Sequence, residues 1–151
     1  MWLGSMQAIA VFIDAKSINP QEIEDVYKTL ADGLGQVKTT HIFGDWSDPK
    51  LDHWKPYIYQ YAMTTVHQFN SRESVASTEV VLTIHAMDVL HSSKEKTKSI
   101  AIVSNHQDYA ALALRFRASG FNVYGFGEQI NSQAIFTLSQ KVMIHCNQVR
   151  N

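Results

Sequence analysis

Cysteine is nearly missing from this chain: Cys146 is the only one. That excludes an intramolecular disulfide and any zinc-type Cys/His spacing, and it makes a reducing compartment, the cytoplasm, the expected location. Long apolar runs are also missing. None approaches the ~20 residues that span a bilayer, so no membrane partner is expected. The N-terminus has no basic region ahead of a long apolar stretch, which argues against a secretory signal. Charge of one sign is missing too, with 13 Lys and Arg against 14 Asp and Glu and a net charge of −1. This excludes a large electrostatic footprint on duplex nucleic acid, though not nucleic-acid binding itself. The Gly-x-Gly-x-x-Gly, P-loop and Gly-x-Ser-x-Gly patterns are all absent, so no nucleotide cofactor is expected. There is no internal repeat, low-complexity tract or linker.

What is present is a chain of 151 residues that is 45% apolar, enough for one core in one domain. Met1 to Met6 contains Gly-Ser-Met and reads as a cloning remnant, leaving residues 7–151 as a single domain. Apolar runs rich in branched residues alternate with segments of helical spacing. Ala8 to Asp14 reads as a buried strand. Asn19-Pro20 then opens a helix, with Asn19 as its N-cap and Pro20 in its first turn; Ile23, Val26, Tyr27 and Leu30 are its spaced apolar residues, and Gly33 and Gly35 end it. Val37 to Phe43 is a second strand. Pro49 to Ala62 has helical spacing that Pro56 interrupts, and Thr64 to Phe69 is a third strand. Ser77 to His91 is a helix with Val80, Val81, Ile84, Met87 and Val89 available to pack. Ser99 to Ser104 is a fourth strand, followed by a helix from Asp108 to Ser119-Gly120. Phe121 to Gly127 is a fifth strand, Ser132 to Leu138 a short helix, and Val142 to His145 a last edge strand. This alternation predicts a three-layer α/β fold: a mainly parallel central sheet of five or six strands with helices on both faces.

In such a fold the carboxyl ends of the strands carry the site. Asp14 follows the first strand, Asp45 the second and Asp108 the fourth, while Glu79 lies near the start of the helix after the third. Carboxylates gathered there are costly unless they share a proton or a cation. With open positions they suit Mg²⁺ or Mn²⁺, which keep waters and leave room for a phosphate. The plainer alternative is that each acid caps a helix or faces water, since acids are favoured at helix N-termini in any case. This alternative is strongest for Asp45.

Several segments, in order and in register, carry a resemblance. They are Ile9 to Ile18 with Asp14 at its centre, His41 to Trp46, Glu79 to Asp88, Ile102 to Leu112 and Arg117 to Gly127. Together they resemble NYN domains of the PIN-like ribonuclease superfamily, in particular the LabA-like branch. The resemblance implies a PIN-like, Rossmann-like fold and one Mg²⁺ or Mn²⁺ ion held by Asp14, Glu79 and Asp108. It further implies a metal-dependent ribonuclease that hydrolyses RNA phosphodiesters, with RNA as partner. In that reading Asp14, Glu79 and Asp108 are catalytic, and His106 assists.

Departures from the family pattern are specific. Ser17 stands where the family has Asn, Glu79 where it has Asp, and Val75 where a Lys is usual. His85 and His106 replace acids, and Tyr109 replaces Phe. Imidazoles would favour Mn²⁺ or later metals over Mg²⁺ and titrate near working pH. Glu79 and His85 lie about 120° apart around a helix and should not hold one ion together. His41, His53, His67, His91 and His145 show no ligand spacing. Among residues able to hold RNA, Lys16, Ser17, Lys50 and Arg72 fall in carboxyl-edge loops. Trp46, Trp54, Tyr57 and Tyr109 could stack bases, although Trp54 and Tyr57 suit a core or a subunit interface better. The alternative function is a catalytically degenerate domain that binds RNA or a protein, or forms a homodimer scaffold.

Overall fold

The computed structural model describes residues 7–68, 78–92, 97–105, 109–127 and 141–143. Six parallel strands form the central sheet: β1 (Ala8–Asp14), β2 (Gln36–Gly44), β3 (Thr64–His67), β4 (Thr97–Val103), β5 (Asn122–Phe126) and β6 (Lys141–Met143). Their order across the sheet is β3-β2-β1-β4-β5-β6. β1 and β4 are therefore the central neighbours, paired from Ile9–Ser99 to Ile13–Val103. One half of the chain builds outward from β1 and the other outward from β4, so the switch in strand order falls between them.

Side chains of β1 alternate between two cores, as the period of two in a strand requires. Ile9, Val11 and Ile13 meet α1 (Ile23–Ala31) through Ile23, Val26 and Leu30, and also Leu51 and Trp54. Ala10 and Phe12 point the other way, into the core of α3 (Thr78–His91) and α4 (Ala110–Ala118), where Leu82, Ala86, Leu112 and Phe116 pack. Full burial of one such side chain contributes about 1.5–3 kcal/mol. The expected three-layer α/β architecture is the observed one.

Local structure follows the signals in the sequence with three differences. Asn19 caps as expected, its Oδ1 accepting from Gln21 N at 3.1 Å, but Pro20–Glu22 is a 3₁₀ turn leading into α1. The segment after β2 splits in two, a 3₁₀ helix (Pro49–Trp54) and then α2 (Lys55–Gln60). Pro56 sits in the first turn of α2, where no backbone donor is lost. On α3 the expected packing face is wrong in part. Leu82 and Ala86, one turn apart, are buried, whereas Val80 and Ile84 are 47% and 56% exposed. α3 is apolar on most sides, so its sequence does not single out the buried stripe. Among the described residues no helix is long and apolar enough to cross a membrane. The proposed helix Ser132–Leu138 and residues 1–6 lie outside the described residues.

Candidate functional site at the β1–β4 switch point

Asp14 ends β1 with its side chain 1% exposed, on the same side of the sheet as Phe12. Such a carboxylate needs hydrogen-bond donors. Ser104, the first residue past β4, donates from Oγ to Asp14 Oδ2 at 3.3 Å. Ser17 in the turn after β1 lies 3.2 Å from Ser104, Oγ to Oγ. The Ser17 hydroxyl also donates to the Asp14 carbonyl at 3.4 Å, which closes the turn after β1.

Asn105 completes the link. Its backbone N–H donates to Ser17 Oγ at 3.1 Å and its Nδ2 to the Ser17 carbonyl at 2.6 Å. The exits of β1 and β4 are thus stitched together across the switch point, where open α/β sheets leave a crevice. Neighbouring strands hold the two exits from outside. Ala15 N donates to Phe43 O, and Ser104 N to Phe126 O, each at 3.0 Å. Trp54 Nε1 donates to Ala15 O at 3.1 Å, fastening the 3₁₀ helix beneath the same turn. A Cβ at Gly44 would come within 2.8 Å of Leu51 Cδ1, so a larger residue there would make the Leu51 side chain shift.

Glu79 is in the first turn of α3 and half-buried. The far end of that helix, Asp88 to Ser92, lies beside Ala10, Lys38 and Thr39 in the amino-terminal halves of β1 and β2. α3 therefore runs against the strands and starts at their carboxyl edge, the Asp14 end. Asp108, His106, Arg72 and Val75 lie outside the described residues, and among the described residues no group of three His, Cys, Asp or Glu is close enough to hold a metal. The donors that do converge are all oxygens, from the carboxylate of Asp14 and the hydroxyls of Ser17 and Ser104. That donor chemistry fits a hard cation such as Mg²⁺ or Mn²⁺.

A groove of about 590 Å³ adjoins the network, sharing Ser17 with it and lined also by Lys16, Asn19, His53 and Tyr57. Lys16 is exposed and Tyr57 half-buried. The other sequence candidates are placed as follows. Asp45 Oδ1 accepts from Ser47 N at 3.0 Å and from Ser47 Oγ at 2.5 Å, and lies 4.0 Å from His67 Nε2, so it closes a local turn. Lys50 is exposed at the start of the 3₁₀ helix that Asp48 caps. Trp46 Nε1 donates to Val66 O at 3.0 Å. Trp54 is fully buried, as its helical spacing suggested.

Tyr109 requires a correction. Its ring is fully buried with Phe12, Phe43 and Leu82, so it packs the core and offers no face to a base. It directly precedes α4, whose Leu112 and Phe116 enter the same core and carry it inward. The His85 ring lies 5.4 Å from Phe43 and 6.0 Å from His41. Sequence reasoning missed the roles of Ser104 and Asn105, although two polar residues directly after a buried strand were the available signal. It also missed His53, whose place in the groove depends on packing alone.

Residues 8–144 match the family model of the NYN domain. The chain belongs to the NYN domain family. The match takes in every strand of the sheet, including Asp14 and the residues that brace it. No curated protein matches this NYN domain. Among solved structures, a protein of unknown function from Vibrio parahaemolyticus superposes with a TM-score of 0.69 at 14% identity, covering 94% of each chain. At that identity the likeness shows the shared fold. A candidate NADPH-dependent oxidoreductase from Desulfitobacterium hafniense aligns at 11% identity over 88% of this NYN domain and 32% of that chain, with a TM-score of 0.43. A candidate oxidoreductase from Erwinia carotovora aligns at 12% identity over 91% and 35%, with a TM-score of 0.45. Scores this low say nothing about the chemistry of the NYN domain.

Proposed function

We propose that this NYN domain is a divalent-metal-dependent ribonuclease, close to the LabA-like branch, that hydrolyses phosphodiesters of RNA. The observation that carries the reading is the burial of Asp14 at the β1–β4 switch point, held by Ser104 beside an open groove. Asp14, Glu79 and Asp108 would hold one Mg²⁺ or Mn²⁺, which when bound lowers the pKa of a water and offsets charge on the phosphate. Ser104 orients the Asp14 carboxylate; Ser17 couples that hydroxyl to the groove. Lys16 at the groove wall attracts the RNA backbone, and Tyr57 offers a ring edge to an unpaired base. His106, two residues from Asp108, is placed by sequence to move a proton to or from the reacting oxygens. Arg72 extends the basic contacts.

A second reading, a degenerate NYN domain that binds RNA or pairs with a second copy, gains from one observation. His85, at a position where the family has an acid, is taken up by Phe43 and His41. Exposed Val80 and Ile84 would serve as its contact face.

The test is cleavage of end-labelled single-stranded and hairpin RNAs with Mg²⁺, Mn²⁺ or EDTA, alongside Asp14→Asn and Asp108→Asn. Metal-dependent cutting lost in both variants supports the nuclease. Binding without cutting by any form, or cutting that survives both substitutions, overturns it in favour of the second reading.

A further inference from the structure

A cavity of about 290 Å³ opens between the middle of β1 and β2 and the C-terminal half of α3, on the core face that Asp14 shares but towards the other end of the strands. Its inner wall is aromatic. Phe12 and His41, register partners on neighbouring strands, stack at 5.8 Å with their planes 14° apart, and the His85 ring leans over them 6.0 Å from His41. Lys38, Asp88 and Ser92 line its walls with Val89. Sequence spacing assigned neither histidine a task.

We propose that this cavity binds a nucleobase. The tautomer of His41 sets the polarity. Its Nδ1 is sealed from solvent with no hydrogen-bond partner among the described residues. A proton there would bury a donor without an acceptor, so the neutral ring carries its proton on Nε2, the only other polar atom of the side chain. Burial, and then the neighbouring His85, hold the imidazole below its ordinary pKa and keep it uncharged near neutrality. His41 therefore presents one N–H donor, uncharged, within the aromatic part of the wall.

The complementary ligand is flat and neutral, with an acceptor on its edge. A nucleobase has that form through its carbonyl oxygens or ring nitrogens, and the cavity, at the small end of ligand pockets, suits a ring system rather than a larger molecule. Lys38 lies where it can meet the phosphate that such a base carries. The base could come from a free mononucleotide or from an RNA strand. The inference does not depend on the metal site, because none of the Asp14, Ser17, Ser104 and Asn105 network lines this cavity.

The experiment is NMR of the histidine ring resonances in the full chain, titrated with AMP, adenosine, inorganic phosphate and a single-stranded RNA pentanucleotide. Saturable movement of the His41 and His85 signals with AMP and adenosine, but not with phosphate, is expected, and it persists in Asp14→Asn. Lys38→Glu should weaken AMP by roughly 2- to 5-fold, the worth of an exposed charge pair, and leave adenosine unchanged. Whichever of AMP and the pentanucleotide moves His41 at lower concentration identifies the source of the base. His41→Phe should abolish the response; if that variant fails to fold, the Lys38→Glu comparison carries the test. No saturable movement, movement with phosphate alone, or equal weakening of AMP and adenosine by Lys38→Glu overturns the proposal.

Discussion

The two ends of one strand face solve the same problem differently. At the carboxyl end of β1, the buried carboxylate of Asp14 is met by a hydroxyl, and that hydroxyl is backed by a second hydroxyl and by Asn105. Two residues earlier on the same face, Phe12 stacks on His41, whose Nδ1 is buried with no partner among the described residues. The first arrangement fixes a carboxyl group in place through a donor contributed by the neighbouring strand. The second holds a titratable ring by packing and keeps it neutral. A buried carboxyl needs polar partners, and the switch point between β1 and β4, where two strand exits meet, supplies them.

Phe12 joins the two ends, so its removal should have the largest effect. Phe12→Ala is expected to destabilise the fold by about 3–5 kcal/mol, as for other fully buried rings, read as a lower urea midpoint. A loss under about 1 kcal/mol would show that the two ends do not share a packed support. Asp14→Asn separates them instead. It should reduce metal-dependent RNA cleavage by at least ~100-fold, beyond the usual cost of losing a supporting group. The histidine ring resonances should keep their wild-type positions, and a change there would break the division.

Ser104→Ala probes the brace rather than the carboxylate. A roughly 10-fold loss of cleavage, with about 1 kcal/mol of stability, is expected from one hydroxyl bonded to a carboxylate. Full activity in this variant would mean that Asp14 is held in place without Ser104.

Acid acts on the other end. His41 is held below its ordinary value of 6.5 by burial and by His85. Below pH 6.5 the unfolded chain takes up a proton that the folded one resists. Its contribution to stability is therefore level above that pH and falls as the pH drops through it, until the folded ring is protonated as well. His85 and Asp88 on α3 and Lys38 on β2 are the other titratable groups that line the same cavity; β1 contributes only Ala10 and Phe12 to it. Urea midpoints measured above and below pH 6.5 should diverge in the wild type and converge in His41→Phe. Identical slopes would remove His41 as the cause. The smallest effect is expected from Lys16→Ala in the groove: a reduction of about 0.7 in the salt slope of single-stranded RNA binding, the share of one phosphate contact.

Much of this was legible along the chain, for reasons visible in particular residues. Ile9 to Ile13 and Ile100 to Val103 read as buried strands, and Asn19-Pro20 marked a helical start, which the structure realises as a 3₁₀ turn leading into α1. From the alternation of such segments, the α/β class and the position of Asp14 at a strand exit follow without coordinates, because burial periodicity and capping are local properties. Local pattern failed where several packing choices were equally apolar. α3 offered Val80, Ile84, Leu82 and Ala86 alike, and only the sheet beneath it selected Leu82 and Ala86. Tyr109 looked like a stacking platform until α4 carried it into the core.

The sequence by itself determined which groups this protein has to work with: the buried runs, the acid that ends β1, and the hydroxyl and amide that follow β4. Tertiary structure alone decided which of them meet. Ser17 and Asn105 are 88 residues apart and bond because β1 and β4 are sheet neighbours. His41 and His85 face each other because α3 runs back across β2. Hydrogen bonds and ring contacts act over a few ångströms, and distance along the chain carries no information about them until strand order is set.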